Sequence, residues 1–233
     1  MTFLRLFLRG IRDLFEQLLS LCMYSLLWWI AVATVVLAPP ATVTLFSMAD
    51  PRRQVTNPEF GDAVAVFRSS FRRGWGIFLW TVPLITILIW NTYYFGGTNE
   101  TLSILVPLWL LMSIALLMLG LYAFSVAGTM ESGVKNAFRG AAYLLVSRPF
   151  VSLFLIVSLL VLSLLMTVTV VPMVLFGPAL IASIVNRFTL HGLQVEVIDP
   201  NAPTDERAYE QERGLNPDQG FLQRLRGAGN RRR

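Results

Sequence analysis

The chain has 233 residues, of which 55% are apolar and only 14% are charged, and its mean hydropathy is +0.61. Soluble domains carry about 25% charged residues, so this composition excludes an ordinary water-soluble domain. The single cysteine, Cys22, excludes an intrachain disulfide and a metal site built from several thiolates.

The charges are also segregated along the chain. Four stretches contain no charged residue and no histidine, namely 17–49, 74–99, 101–130 and 149–186. A helical crossing of a bilayer needs about 20 residues, and helices satisfy their own backbone hydrogen bonds in lipid. The pattern therefore predicts an all-α, polytopic helical membrane protein with about five transmembrane helices, in a membrane domain over 17–190.

Residues 1–16 precede the first apolar run. Arg5, Arg9 and Arg12 share one helical face there, and apolar side chains occupy the other. This arrangement predicts an interfacial amphipathic helix, with its charges toward the headgroups and its apolar face in the acyl chains.

The first predicted span, about 18–48, contains the pair Pro39 and Pro40. Proline lacks an amide donor and clashes with the preceding turn, so a helix break is expected at 39–40. The run is long for one crossing and short for two. The sequence leaves open whether 41–48 completes the crossing or folds back.

The first polar connector, 50–73, repeats phenylalanine at helical spacing and ends with Arg68, Arg72 and Arg73. It predicts a basic amphipathic surface helix that leads into a second span at 75–95.

The third predicted span, 102–126, is followed by another basic amphipathic stretch, which carries Lys135 and Arg139. Together with the three arginines of the first connector, these two residues make a candidate cytoplasmic basic surface.

The last uncharged run is long enough for two crossings, predicted at about 150–169 and 172–189. Pro172 and Pro178 are candidate helix breaks within it. The segment 191–233 mixes proline, glycine and both charge signs, so we expect a polar, mostly disordered tail.

The distribution of basic residues predicts the orientation. Both connectors are basic, whereas the turn at 96–100 carries no positive charge. By the positive-inside rule, the connectors and the C-terminal tail lie in the cytoplasm of a bacterial cell, with the spans in its inner (plasma) membrane. The expected contacts of the net charge of +5 are anionic lipid headgroups, not nucleic acid. The side on which the N-terminus lies stays open.

Chemistry-bearing patterns are scarce. No charged residue or histidine lies deep within a predicted span, so no buried ionisable group is expected, and neither a zinc-protease HExxH pattern nor a phosphate-binding glycine loop occurs. His191, the one histidine, follows the last span. We therefore expect no enzyme activity, no cofactor, and no catalytic or metal-binding residues.

Several short segments occur in a recognisable order: LWW at 27–29, LAPPAT at 37–42, FRSSFRR at 67–73 and AFR at 137–139. In these features the chain resembles the YesL-like family of bacterial integral membrane proteins, over roughly residues 3–190. The family has no established activity, so the resemblance implies no residue roles. Its members tend to be encoded near carbohydrate-uptake transporters and polysaccharide-degrading enzymes.

The resemblance implies a non-catalytic integral membrane protein that is an accessory or partner component of a carbohydrate-uptake system, with transporter subunits as its partners. An alternative is a permease or facilitator for a small neutral solute, in which interrupted helices line the path. The sequence does not indicate the oligomeric state.

Overall fold

A computed structural model describes residues 18–54, 60–98, 104–168 and 170–195. Within these ranges all regular structure is helical, which confirms the all-α prediction. The described helices belong to one unit that ends at Val195. The interfacial helix predicted for 1–16, and the tail predicted for 191–233 beyond Val195, lie outside the described residues.

The helices follow the apolar runs of the sequence. Their bounds are α1 Leu18–Ala33, α2 Ala38–Met48, α3 Pro51–Gln54, α4 Phe60–Thr98, α5 Val106–Thr129, α6 Val134–Ser147, α7 Pro149–Val168 and α8 Val170–Gly192. In the described part of the chain, α4, α5 and α8 are long and apolar enough to cross a membrane. The pair α6 and α7, bent by 100°, allows a fourth crossing. A polytopic helical membrane protein is confirmed, and the prediction of about five spans is close to this number.

The interruption of the first apolar run differs in position from the predicted break. Helix α1 ends at Ala33, and the turn occupies 34–37, with Val35 in the left-handed region at φ 58°. Pro39 and Pro40 do not break a helix, because they lie in the first turn of α2. The amides of that turn have no intrahelical partner, so proline is tolerated there.

Helices α1 and α2 fold back on each other around this turn. The indole Nε1 of Trp28 donates a hydrogen bond of 3.0 Å to Oγ1 of Thr42. In a continuous helix these two residues would be about 21 Å apart. At the turn, Trp75 Nε1 of α4 donates to the carbonyl of Val36 at 3.2 Å. The segment 38–48 therefore folds back along α1.

Helix α4 is longer than predicted. The surface helix expected in 50–73 and the span expected at 75–95 are parts of one helix of 39 residues. At 1.5 Å per residue this helix is about 58 Å long, which exceeds the 40–45 Å or so of a whole bilayer with its headgroups. Part of it must therefore extend through the headgroup region or lie strongly tilted.

Glycine allows α2 to pack closely against two neighbouring helices. A Cβ atom on Gly74 of α4 would lie 2.6 Å from the backbone of Pro39. A Cβ atom on Gly128 of α5 would lie 2.9 Å from Ser47 N and from Phe46 Cβ. Small residues at such crossings let helix backbones approach and gain van der Waals contact. Helix α2 is thus held between α4 and α5.

The two prolines predicted as breaks near the end of the membrane domain lie within α8. Pro172 is in its first turn, and Pro178 lies inside a helix that continues to Gly192. The amide of Ala179, next to Pro178, donates to Ser25 Oγ of α1 at 3.3 Å. A hydroxyl of the neighbouring helix thus accepts the amide hydrogen of the residue after the proline, as is common where proline lies inside a membrane helix.

Candidate functional site

Polar side chains of α3, α5 and α8, and of the residue that precedes α3, meet near the C-terminal ends of α2 and α5. We call Asp50, Arg52, Ser125, Thr129 and Asn186 the helix-end cluster. Asp50 is 1% exposed and Asn186 is fully buried. The cluster lies at the end of the bundle from which the basic connectors leave.

Asn186 joins three helices. Its Nδ2 donates a hydrogen bond of 2.7 Å to the carbonyl of Phe46 in α2, and Ser125 Oγ of α5 donates to its Oδ1 at 2.8 Å. The last four carbonyls of a helix lack an intrahelical partner, and Phe46 belongs to the last turn of α2. A side chain of α8 therefore caps the C-terminal end of α2.

Arg52 joins α3 to α5. Its guanidinium binds the Asp50 carboxylate, with an Nη2–Oδ2 distance of 2.6 Å and Nε contacts of 3.1 Å. The same Nη2 donates to the carbonyl of Thr129, the last residue of α5, at 2.7 Å. The buried Asp50 thus has a charged partner, which buried carboxylates require, and the pair is fixed to the end of a neighbouring helix.

Arg187 is a further buried charge, with 6% of its surface exposed, and it takes part in an interaction of its own. Together with Asp50 it corrects the expectation that no ionisable group is buried in the membrane domain. Both residues adjoin uncharged runs: Asp50 follows Ala49, and Arg187 follows Asn186. Their position at the ends of apolar helices was the available signal, but sequence alone does not show which helix ends meet.

The predicted basic surface is brought together in part. Arg68, Arg72, Lys135 and Arg139 are exposed, and Arg73 is half-buried. Helices α4 and α6 touch where Gly76 meets the side chain of Val134, since a Cβ on Gly76 would lie 2.6 Å from it. Because Arg72 and Arg73 precede Gly76 by one helical turn and Lys135 follows Val134, these three residues lie around one contact. Arg68 and Arg139 are one turn further along their helices.

Other polar groups within the membrane domain connect helices. The hydroxyls of Tyr122 in α5 and Ser152 in α7 are 3.2 Å apart and hydrogen-bonded. Ser113 instead bonds back to the Trp109 carbonyl of its own helix at 2.8 Å. Hydrogen bonds of these kinds are common in membrane bundles and contribute modestly to stability.

The described residues contain no group of three or more His, Cys, Asp or Glu side chains placed to hold a metal ion. His191 lies near the end of α8 and is half-buried. The predicted helix-break residues Pro39, Pro40 and Pro178 are in helical segments.

No protein-family model, no curated protein and no solved structure matches the chain significantly. The resemblance to the YesL-like family therefore stays a prediction that rests on the segments of sequence named above.

Proposed function

We propose that this membrane protein is a non-catalytic accessory component that binds another membrane protein, in a bacterial plasma membrane with the C-terminal tail in the cytoplasm. The association with carbohydrate uptake rests on the resemblance to the YesL-like family. Transporter subunits are the proposed partners. A structural role is supported by the way in which Asn186 is used.

The carboxamide of Asn186 makes its hydrogen bonds with the protein itself. Its Oδ1 accepts from Ser125, and its Nδ2 donates to the Phe46 carbonyl. A residue that recognises a solute, or acts in catalysis, needs donors or acceptors that remain available to that molecule. The most deeply buried amide described at this end of the bundle instead holds helices together.

Large apolar faces are available to a partner. Helix α7 exposes Phe150 (81%), Leu153 (59%), Leu160 (63%) and Leu164 (65%) along its length. In a membrane, such a face contacts either lipid or another transmembrane helix. A transporter subunit that packs along this face would need no polar contact with α7.

The test is affinity purification of the tagged protein from its native membrane in mild detergent, followed by mass spectrometry. Recovery of a transporter subunit in stoichiometric amount is the expected result. Leu160→Trp should reduce that recovery if α7 is the contact, whereas Ile87→Trp on the exposed face of α4 is the matched control. Reproducible recovery of the chain alone in more than one detergent contradicts the accessory role.

A permease for a small neutral solute is the second candidate. Three buried hydroxyls, Ser47 Oγ, Ser132 Oγ and Thr189 Oγ1, have no hydrogen-bond partner among the described residues. Buried polar groups normally have partners, so these hydroxyls favour a path with polar lining. Solute flux into vesicles that contain only the purified protein would support this function, and its absence for a panel of neutral sugars and polyols would count against it.

A further inference from the structure

Helices α4 and α6 each combine basic residues with exposed apolar ones, and the two helices meet at the Gly76–Val134 contact. We call Arg72, Arg73 and Lys135 the basic junction. Its position at the basic end of the bundle, beside apolar side chains that the protein leaves uncovered, points to a ligand that is both anionic and apolar.

On α4 the apolar and basic residues occupy adjacent faces. At 3.6 residues per turn, Phe60, Val64 and Phe71 project from one side of the helix, and they are 55%, 36% and 40% exposed. Arg68 and Arg72 follow on the neighbouring side. The side of α4 opposite these two arginines packs against the rest of the protein, and Ala63 and Ser70 are buried there.

On α6 the same combination runs along the helix. Lys135 and Arg139 are exposed in its first half. Tyr143 and Val146 follow, 60% and 80% exposed, and Phe150 at the start of α7 is 81% exposed. The cationic end of α6 is thus the end that meets α4, and its apolar end points away from the junction.

We propose that the basic junction, flanked by Arg68 and Arg139, binds the phosphate headgroup of an anionic phospholipid. Guanidinium groups bind phosphate oxygens with paired, charge-assisted hydrogen bonds, and basic residues beside a membrane attract anionic lipid. The exposed aromatic side chains of α4 supply contact for the acyl chains of the lipid. A soluble phosphate compound has no acyl chains and would leave these aromatic side chains uncovered. This site does not depend on the accessory role proposed above.

The experiment measures thermal unfolding of the delipidated protein in detergent while phosphatidylglycerol is added, with native mass spectrometry to count retained lipid. Phosphatidylcholine with the same acyl chains is the comparison lipid. We expect phosphatidylglycerol to stabilise the protein more strongly and to remain bound. In the variant R72Q/R73Q/K135Q, the apparent affinity should fall by about fivefold for each charge removed.

Two further variants control this result. R231Q/R232Q/R233Q removes the same number of charges from the C-terminal tail, and it should keep the affinity for phosphatidylglycerol. R72K/R73K retains the charge of the junction and should keep most of the binding. Size-exclusion chromatography and circular dichroism would reveal whether R72Q/R73Q/K135Q fails to fold. In that case R72K/R73K remains as a variant of the same site.

The proposal is overturned if phosphatidylcholine stabilises the protein as much as phosphatidylglycerol does. It is also overturned if the junction and tail variants lose affinity equally, because binding would then follow net charge alone. Inorganic phosphate that reproduces the full stabilisation would exclude a lipid as the ligand. Loss of binding confined to the junction variant supports the site.

Discussion

The Asn186 carboxamide donates a hydrogen bond of 2.7 Å to the Phe46 carbonyl, joining two residues that are 140 positions apart in the chain. This bond closes the last turn of α2 with a side chain of α8. It holds the folded-back segment against the helices that follow it. A change at Asn186 should therefore affect the stability of the protein first.

Asn186→Ala should destabilise the protein by about 1–2 kcal/mol, because the Phe46 carbonyl and the Ser125 hydroxyl both lose a buried partner. Unfolding by a denaturing detergent, followed by circular dichroism, measures the change. Ser113→Ala is the control, since that hydroxyl bonds only within its own helix, and its effect should be small. Equal stability of the two variants would contradict the role given to Asn186.

Gly74→Ala and Gly128→Ala should each destabilise the protein by about 1–3 kcal/mol, because the added methyl group meets the backbone or Cβ atoms of α2 at 2.6–2.9 Å. Gly61→Ala is the matched control: nothing lies within 4 Å of its Cβ position, and alanine is the better helix former. Thermal unfolding in detergent compares the three variants. A Gly74 variant as stable as the Gly61 variant would show that α2 and α4 are not in close contact.

Asp50→Asn and Arg52→Gln should each reduce stability by roughly 1–3 kcal/mol. This is less than the 3–5 kcal/mol or so for a fully buried pair, because the Arg52 side chain is 29% exposed. The double variant should cost less than the sum of the two single variants, since both disrupt the same ion pair. A double-mutant cycle by denaturant unfolding measures this coupling, and Arg68→Gln controls for the loss of an exposed charge. Strict additivity would mean that the Asp50 and Arg52 side chains are not energetically coupled.

The fold-back of α1 and α2 predicts that Ser20 reaches the same side of the membrane as Lys135. In a Cys22→Ser background, Ser20→Cys and Lys135→Cys should react with a membrane-impermeant maleimide from one side, and Ile104→Cys from the other. All three positions are exposed in the structure. Labelling of Ser20→Cys from the side of Ile104 would mean that 18–48 crosses the bilayer, and the N-terminus would then lie outside.

The helical class and the approximate number of apolar segments were predictable from the charge-free runs. Each such run must avoid water on its own account, whatever the other helices do, so its length and composition are sufficient to identify it. The same holds for the basic character of the connectors. Four residues of the predicted basic surface are exposed and Arg73 is half-buried, in keeping with the rule that charged side chains on a helix avoid burial unless they are paired.

Position 39–40 was a poorer guide, because proline interrupts a helix interior but is favoured in a first turn. Which of these applies depends on where the preceding helix ends, and α1 ends at Ala33, before either proline. The structure therefore places the turn at 34–37.

The burial of Asp50 and Arg187, the capping of α2 by Asn186 and the meeting of α4 with α6 required the tertiary structure. Each depends on which helix ends come together, as in the contact between Arg52 and Thr129, 77 positions apart. Local hydropathy carries no information about such pairs. They form only when close packing, through glycines such as Gly74 and Gly128, brings distant backbone segments within hydrogen-bonding distance.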